Sequence, residues 1–114
     1  MTRKSRTLHD IGLEHLIGQL ETVGESRHDM HYIISEGIWY KPNDIDYHSL
    51  CDLILVYRSD AVAVEYKTSH HGRHKAIHQI EAGKEFIQKE LMLPYRHGKF
   101  VWSENEHYKF EVIQ

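Results

Sequence analysis

Apolar positions along the chain change their period several times, and each change marks an element. Leu13, Leu16, Ile17 and Leu20 recur at helical spacing. This predicts an amphipathic helix over 8–23, with Gly24 as its C-terminal stop. Met30-His31-Tyr32-Ile33-Ile34 reads as a strand, Ser35-Glu36-Gly37 as a turn, and Ile38-Trp39-Tyr40 as a continuation or a second short strand. Lys41-Pro42-Asn43-Asp44 signals a loop. Two apolar runs follow, 49–57 and 61–68, separated by Arg58-Ser59-Asp60. So short a gap predicts an antiparallel hairpin.

Helical spacing returns over 72–91, where Ile77, Ile80, Ile87 and Leu91 share a stripe beside Ala76, Gly83 and Phe86. Glycine inside a helix costs about 1 kcal/mol relative to alanine, so Gly83 should mark where this helix presses closely on a sheet. Pro94 ends the segment; Phe100-Val101-Trp102 and 108–113 read as two closing strands. The order of helix, three or four strands, helix, two strands predicts an α+β domain with helices flanking a mixed sheet. Residues 1–7 read as a flexible basic arm and 8–114 as a single domain.

Composition narrows the class. At 114 residues, 40% hydrophobic and 27% charged, the chain has the make-up of an ordinary globular domain with one core of modest size. No apolar run approaches the roughly 20 residues of a membrane span. The opening Met1-Thr2-Arg3-Lys4-Ser5-Arg6 is not followed by the apolar stretch of a signal peptide. Cys51 is the single cysteine, which excludes an internal disulfide framework and fits a reducing, cytoplasmic setting. A formal net charge of −3 weighs weakly against a dedicated nucleic-acid binder. The 11 histidines and the basic groupings soften that objection. Arg3, Lys4 and Arg6 in the arm, with Arg73 and Lys75, are candidate phosphate contacts.

The hairpin carries the chemistry. Side chains alternate across a strand, so Glu65 and Lys67 share a face with Ala61 and Ala63. A loop of Arg58-Ser59 places Asp52 opposite Glu65; a loop of Ser59-Asp60 places it opposite Lys67. Both registers gather the three charged groups on one face, while Leu53, Leu55, Val62, Val64 and Tyr66 take the other. A hard divalent cation such as Mg²⁺ takes oxygen ligands, and Asp52, Glu65 and the Tyr66 carbonyl offer three. Lys67 beside them suits orientation or deprotonation of a water, or stabilisation of charge at phosphorus. This requires the two acids to converge and to be reachable from solvent.

An acid on one strand and Glu-x-Lys on the next, here Asp52 and Glu65-Tyr66-Lys67, resembles the PD-(D/E)xK nuclease superfamily. That resemblance spans most of the chain, because the family core also runs helix, three strands, helix, strand. Cys51 stands where the motif's name has proline. The segment 14–24 is similar to the first helix of archaeal Holliday junction resolvases, which implies Glu14 as an acid reaching the metal through water. The family's second helix often brings a lysine or glutamine to the site, matched by Gln79 or Lys75. The resemblance implies a restriction-endonuclease-like fold and a Mg²⁺-dependent (or Mn²⁺-dependent) endonuclease. It implies structure-selective cleavage of DNA by a homodimer. Related alternatives are a nicking, single-strand or flap nuclease, and a catalytically inactive nucleic-acid-binding module of the same fold.

Plainer readings compete at each position. Asp52, Glu65 and Lys67 on an exposed hairpin make a cross-strand ion pair worth under about 1 kcal/mol. Glu14 on a solvated helix face needs no ligand, and Glu21 competes for its role. Gln79 reads equally as a helix-surface amide. His70, His71, His74 and His78 include an i, i+4 pair suited to zinc, yet no cysteines or fixed spacing accompany it. Asp44 and Asp46 fit a turn better than a calcium loop, which needs a glycine and a distal glutamate. Trp39 and Trp102 read as core or interface aromatics, and Cys51 as a buried neighbour of the site.

Overall fold

The computed structural model describes residues 6–41 and 48–114. Helix α1 spans Leu8–Gly18, and Thr7 caps it. The Thr7 side chain accepts from the Asp10 N–H at 3.1 Å, and the Asp10 carboxylate accepts from the Thr7 N–H at 3.0 Å. The single helix expected over 8–23 is split: after Gln19 the chain tightens into a 3₁₀ turn, Leu20–Val23. Gly24 then closes it with φ of 81°, the left-handed conformation that glycine adopts freely.

Strands β1 (His31–Ile34), β4 (Leu53–Val56), β5 (Ala61–Lys67), β6 (Tyr95–Glu104) and β7 (His107–Ile113) form one mixed sheet in the order β1-β4-β5-β6-β7. β5 and β6 run parallel, joined by helix α2, Arg73–Lys89; the other neighbours are antiparallel. A small separate ribbon pairs β2 (Trp39–Tyr40) with β3 (His48–Ser49). The architecture is therefore α+β with a mixed five-stranded sheet and two helices. No helix among the described residues is long and apolar enough to cross a membrane.

Each face of the sheet carries its own core. Leu13, Leu16, Leu20 and Val23 pack on Leu53, Leu55, Val62, Val64, Tyr66 and Val101. On the opposite face, Ala76, Ile80 and Ile87 of α2 pack on Cys51, Ile54, Ala61, Ala63 and Phe100. Gly83 sits where a close approach was expected, since a Cβ there would lie 2.7 Å from Cys51 Sγ and 3.1 Å from Ala63 Cβ.

β6 is longer than the expected 100–102, because its polar start is neutralised from elsewhere. Lys99 is buried, pairs with buried Glu25 at 2.5 Å and donates to the Val23 carbonyl at 2.6 Å. Arg96 grips Asp60 through two hydrogen bonds of 2.9 and 2.7 Å. β6 and β7 join through Asn105 and Glu106, both with positive φ, as a two-residue hairpin turn requires.

Candidate metal centre

The hairpin register pairs Leu53 with Val64 and Val56 with Ala61. Its loop is thus Arg58-Ser59, and Asp52 stands opposite Glu65 one step beyond the last paired residues. There the side chains continue what the backbone ladder ends. The Asp52 N–H donates to Glu65 Oε1 at 2.9 Å, and the Tyr66 N–H donates to Asp52 Oδ2 at 2.8 Å. The Asp52 carbonyl accepts from the Ser35 and Glu36 N–H groups at 2.9 and 3.1 Å. Backbone donors thus fix both carboxylates and leave their remaining lone pairs to face cations.

Two cationic side chains complete the site. Lys67 Nζ lies 3.0 Å from Glu65 Oε2. Gly72 makes room for its stem: a Cβ on Gly72 would come within 2.6 Å of Lys67 Cγ. The second cation was not among the expected site residues. His9, at the start of α1, places Nε2 3.1 Å from Asp52 Oδ2 and 3.0 Å from the Tyr66 carbonyl oxygen. Its Nδ1 faces Glu36 Oε1 at 3.4 Å. Neither His9 nor Glu36 carries a signal in a single sequence, since one reads as helix surface and the other as a turn residue.

Burial sets the electrostatics. Asp52 is 3% and Glu65 1% exposed, so their charges are costly unless paired. Burial first, and then the Asp52 charge, raise the Glu65 carboxyl well above the ordinary range, with Lys67 opposing. The hydrogen bond to Asp52 is the main cause that raises the His9 imidazole to about 9, aided by the Asp52 and Glu36 charges and opposed by burial. His9 is therefore an imidazolium at neutral pH. Glu36 is also raised, by burial and by Asp52. Burial pushes the Cys51 thiol up to about 12, which removes it as a nucleophile.

The other expected site residues are placed as follows. Glu14 does not reach the site: its side chain is 65% exposed and is ion-paired with Arg6. A helix turns about 100° per residue, so with His9 aimed at Asp52, Glu14 lies on another face. That pairing also engages Arg6, and Arg73 is bound to Glu111 through hydrogen bonds of 2.8 and 2.7 Å. Neither guanidinium is therefore an open phosphate contact in this conformation. Lys75 is exposed on α2. Arg3, Lys4, Asp44 and Asp46 lie outside the described residues.

α2 runs from Gly72, against Lys67, to Gly83, against Ala63, so Gln79, one turn before Gly83, lies level with Glu65. Its Oε1 is buried without a hydrogen-bond partner. In the histidine cluster, His74 and His78 lie ring to ring at 4.9 Å, while His70 packs on Trp102 at 4.7 Å. Among the described residues, the histidine and acid groups that bring three ligand atoms within 4.8 Å of one another are His9, Asp10 and Glu36. The zinc arrangement is thus not assembled from the 70–78 cluster.

Asp52 Oδ2 and the Tyr66 carbonyl oxygen bracket the His9 nitrogen, while Glu65 is engaged by the Asp52 N–H and by Lys67. Neither acid belongs to the group of three close ligand atoms found among the described residues. His9 and Lys67 cover the acids, at 26% and 22% side-chain exposure, so the solvent access expected of a metal site is not present: both carboxylates are buried. A surface cleft of about 400 Å³, lined by Leu8, Gly12, Tyr66, Thr68, Ser103 and Tyr108, opens alongside but is not lined by the acids. No protein-family model, curated protein or solved structure matches this chain.

Proposed function

We propose that this protein is a metal-dependent endonuclease hydrolysing DNA phosphodiester bonds, with a restriction-endonuclease-like core. The observation that supports the reading is the tie between two buried acids across the hairpin, Asp52 N–H to Glu65 Oε1 at 2.9 Å and Tyr66 N–H to Asp52 Oδ2 at 2.8 Å, with Lys67 3.0 Å from Glu65. The order α1-β1-β4-β5-α2-β6, with the β2–β3 ribbon set aside, is also the order that the resemblance implies.

Asp52, Glu65 and the Tyr66 carbonyl would hold Mg²⁺ or Mn²⁺. When bound, the ion supplies charge neutralisation at a phosphodiester oxygen and acidifies a water. Lys67, 3.0 Å from Glu65, orients the attacking water and stabilises the negative charge that develops at phosphorus. Gln79, with an unpaired oxygen level with Glu65, positions that water from the helix side. Structure-selective cleavage by a homodimer is the form of the activity that the resemblance implies. Tyr32, Ile34, Ile38 and Trp39 on and near the β1 edge are 44–66% exposed, an apolar surface suited to a second copy.

A binding module of the same fold is the second reading, favoured by the burial of both acids and by their backbone hydrogen bonds. A labelled panel of four-way junctions, flaps, single strands and duplex, incubated with Mg²⁺ or Mn²⁺, separates the two. Cleavage that disappears in Asp52→Asn and Lys67→Ala supports the nuclease. Binding without cleavage in the intact protein selects the module, and full cleavage by Lys67→Ala removes the role given to the lysine.

A further inference from the structure

We infer that the cleft beside Trp102 is a stacking site for one unpaired base of a DNA strand, which makes the substrate class DNA with single-stranded character. The inference rests on the nucleic-acid part of the reading above, and on neither the metal nor the hydrolysis.

The sheet sets the position. The parallel register of β5 and β6 puts Lys67 beside Trp102 and Glu65 beside Phe100. Paired residues of neighbouring strands share a face, so Trp102 stands on the α2 face, one strand over from the lysine. Beyond β5 the chain passes through Ser69 into a 3₁₀ turn, His70–Gly72, which carries His70 back over β6. There His70 meets Trp102 edge to face at 4.7 Å and Phe100 at 5.7 Å. Ser69, His70, His71, Trp102, Ser103 and Glu104 line a surface cleft of about 410 Å³.

The indole is already held for a second ring. Buried Phe100 stacks on it at 5.0 Å with 27° between the planes, and its Nε1–H donates to Glu104 Oε2 at 3.1 Å. Protein thus fills one side of the ring and fixes its orientation. A side chain ordered in advance loses little freedom when a ligand settles on it. A tryptophan serving only the core would be sealed on both sides, whereas Trp102 is half-buried and borders the cleft.

Charge selects the kind of ring. From 67 to 75 the chain carries Lys67, His70, His71, Arg73, His74 and Lys75, and His70, His71, His74 and Lys75 are exposed. The acids beside the cleft are engaged: Glu104 accepts from the indole, and Glu111, opposite Phe100, is held by Arg73. A ligand that joins an aromatic ring to flanking anions suits this surface, and a nucleotide within a strand is such a ligand. Every base offers a π-face, so stacking selects strand state rather than sequence; a base in a duplex has first to leave its own stack.

The test needs no metal. In Trp39→Phe, Trp102 is the remaining tryptophan, and Trp39 is exposed enough for the change to be mild. In chelator, oligothymidylate should quench Trp102 fluorescence saturably, and a duplex of equal length should quench it far less. This readout leaves Trp102 in place, so it holds even where a Trp102 variant folds poorly. By anisotropy of labelled oligothymidylate, Trp102→Leu should bind about tenfold or more weakly, and Trp102→Phe should recover most of that loss. Oligothymidylate binding that leaves Trp102 fluorescence unchanged overturns the proposal, as does equal quenching by duplex. Undiminished affinity in Trp102→Leu overturns it too, and so does failure of the intact protein to bind oligothymidylate. Quenching in chelator without cleavage in Mg²⁺ or Mn²⁺ would instead remove the nuclease reading and leave this site standing.

Discussion

Replacing Glu65 by glutamine should stabilise the metal-free protein while removing its metal. The carboxylate is 1% exposed, and burial together with Asp52 raises its pKa, so its ionised form opposes folding at neutral pH. Glutamine keeps an oxygen for the Asp52 N–H, 2.9 Å away. Because the folded pKa lies above the unfolded one, holding this carboxyl in the fold at pH 7.5 costs on the order of 2–3 kcal/mol by proton linkage, a cost that glutamine avoids. Against this stands the 3.0 Å contact with Lys67, which is 22% exposed; partly screened, that contact contributes about 1 kcal/mol. The balance is a gain of about 1–2 kcal/mol at pH 7.5, or roughly 5–10 °C in Tm for a domain of this size.

The sign also fixes the pH dependence. A raised folded pKa means the folded state holds a proton that the unfolded state has released above its value of 4.5. Wild-type stability therefore falls as pH rises from there through the raised pKa, and the advantage of Glu65→Gln grows with pH and vanishes near pH 4. Thermal unfolding followed by circular dichroism in chelator measures both. A variant less stable than wild type at pH 7.5, by a margin independent of pH, would refute the reasoning. It would make Glu65 a structural partner of Lys67 instead.

Three further predictions concern the groups that hold the site in place. His9 is raised from 6.5 to about 9, so its contribution to metal-free stability is full below pH 6.5 and lost as pH rises through 9. Urea midpoints of the wild type should fall across that window, and the fall should flatten in His9→Ala; an equal fall in both contradicts the assignment. Gly83→Ala should lower stability by about 1–3 kcal/mol despite alanine's better helix propensity, because the new Cβ meets Cys51 Sγ at 2.7 Å. A higher Tm would show that α2 can lift from the sheet at little cost. Lys99→Met should destabilise by about 3–5 kcal/mol by stranding buried Glu25, and adding Glu25→Gln should recover part of the loss. Simple additivity in that double-mutant cycle would show that the pair is uncoupled.

The hairpin was legible because two separate signals agree there. The short gap allowed two registers, of which the Arg58-Ser59 loop is the one formed; alternation predicts one face for Asp52, Glu65 and Lys67, and the fold adds that His9 of α1 meets Asp52 while Gly72 before α2 packs on Lys67. Gly24 and Gly83 were legible for the same kind of reason: each bears a conformational or packing demand that other residues meet badly. The start of β6 was not legible, because Arg96 and Lys99 look like loop residues until Asp60 and Glu25, far away in sequence, neutralise them. Helical periodicity carried the first helix through to Val23, but it does not reveal the change to 3₁₀ geometry after Gln19. Glu14 was given the first-helix role by resemblance, and the helix phase brings His9 to Asp52 instead. Neither His9 nor Glu36 could be singled out, since what makes each distinctive is a partner supplied by the fold.

The account rests on Asp52, Glu65 and the Tyr66 carbonyl forming a place for one cation. Anomalous diffraction from crystals soaked in Mn²⁺ tests this most directly. The account predicts a single strong peak between the Asp52 carboxylate and the Tyr66 carbonyl, within bonding distance of Glu65. A peak among His9, Asp10 and Glu36 with none at Asp52, or no bound Mn²⁺ at all, would contradict it.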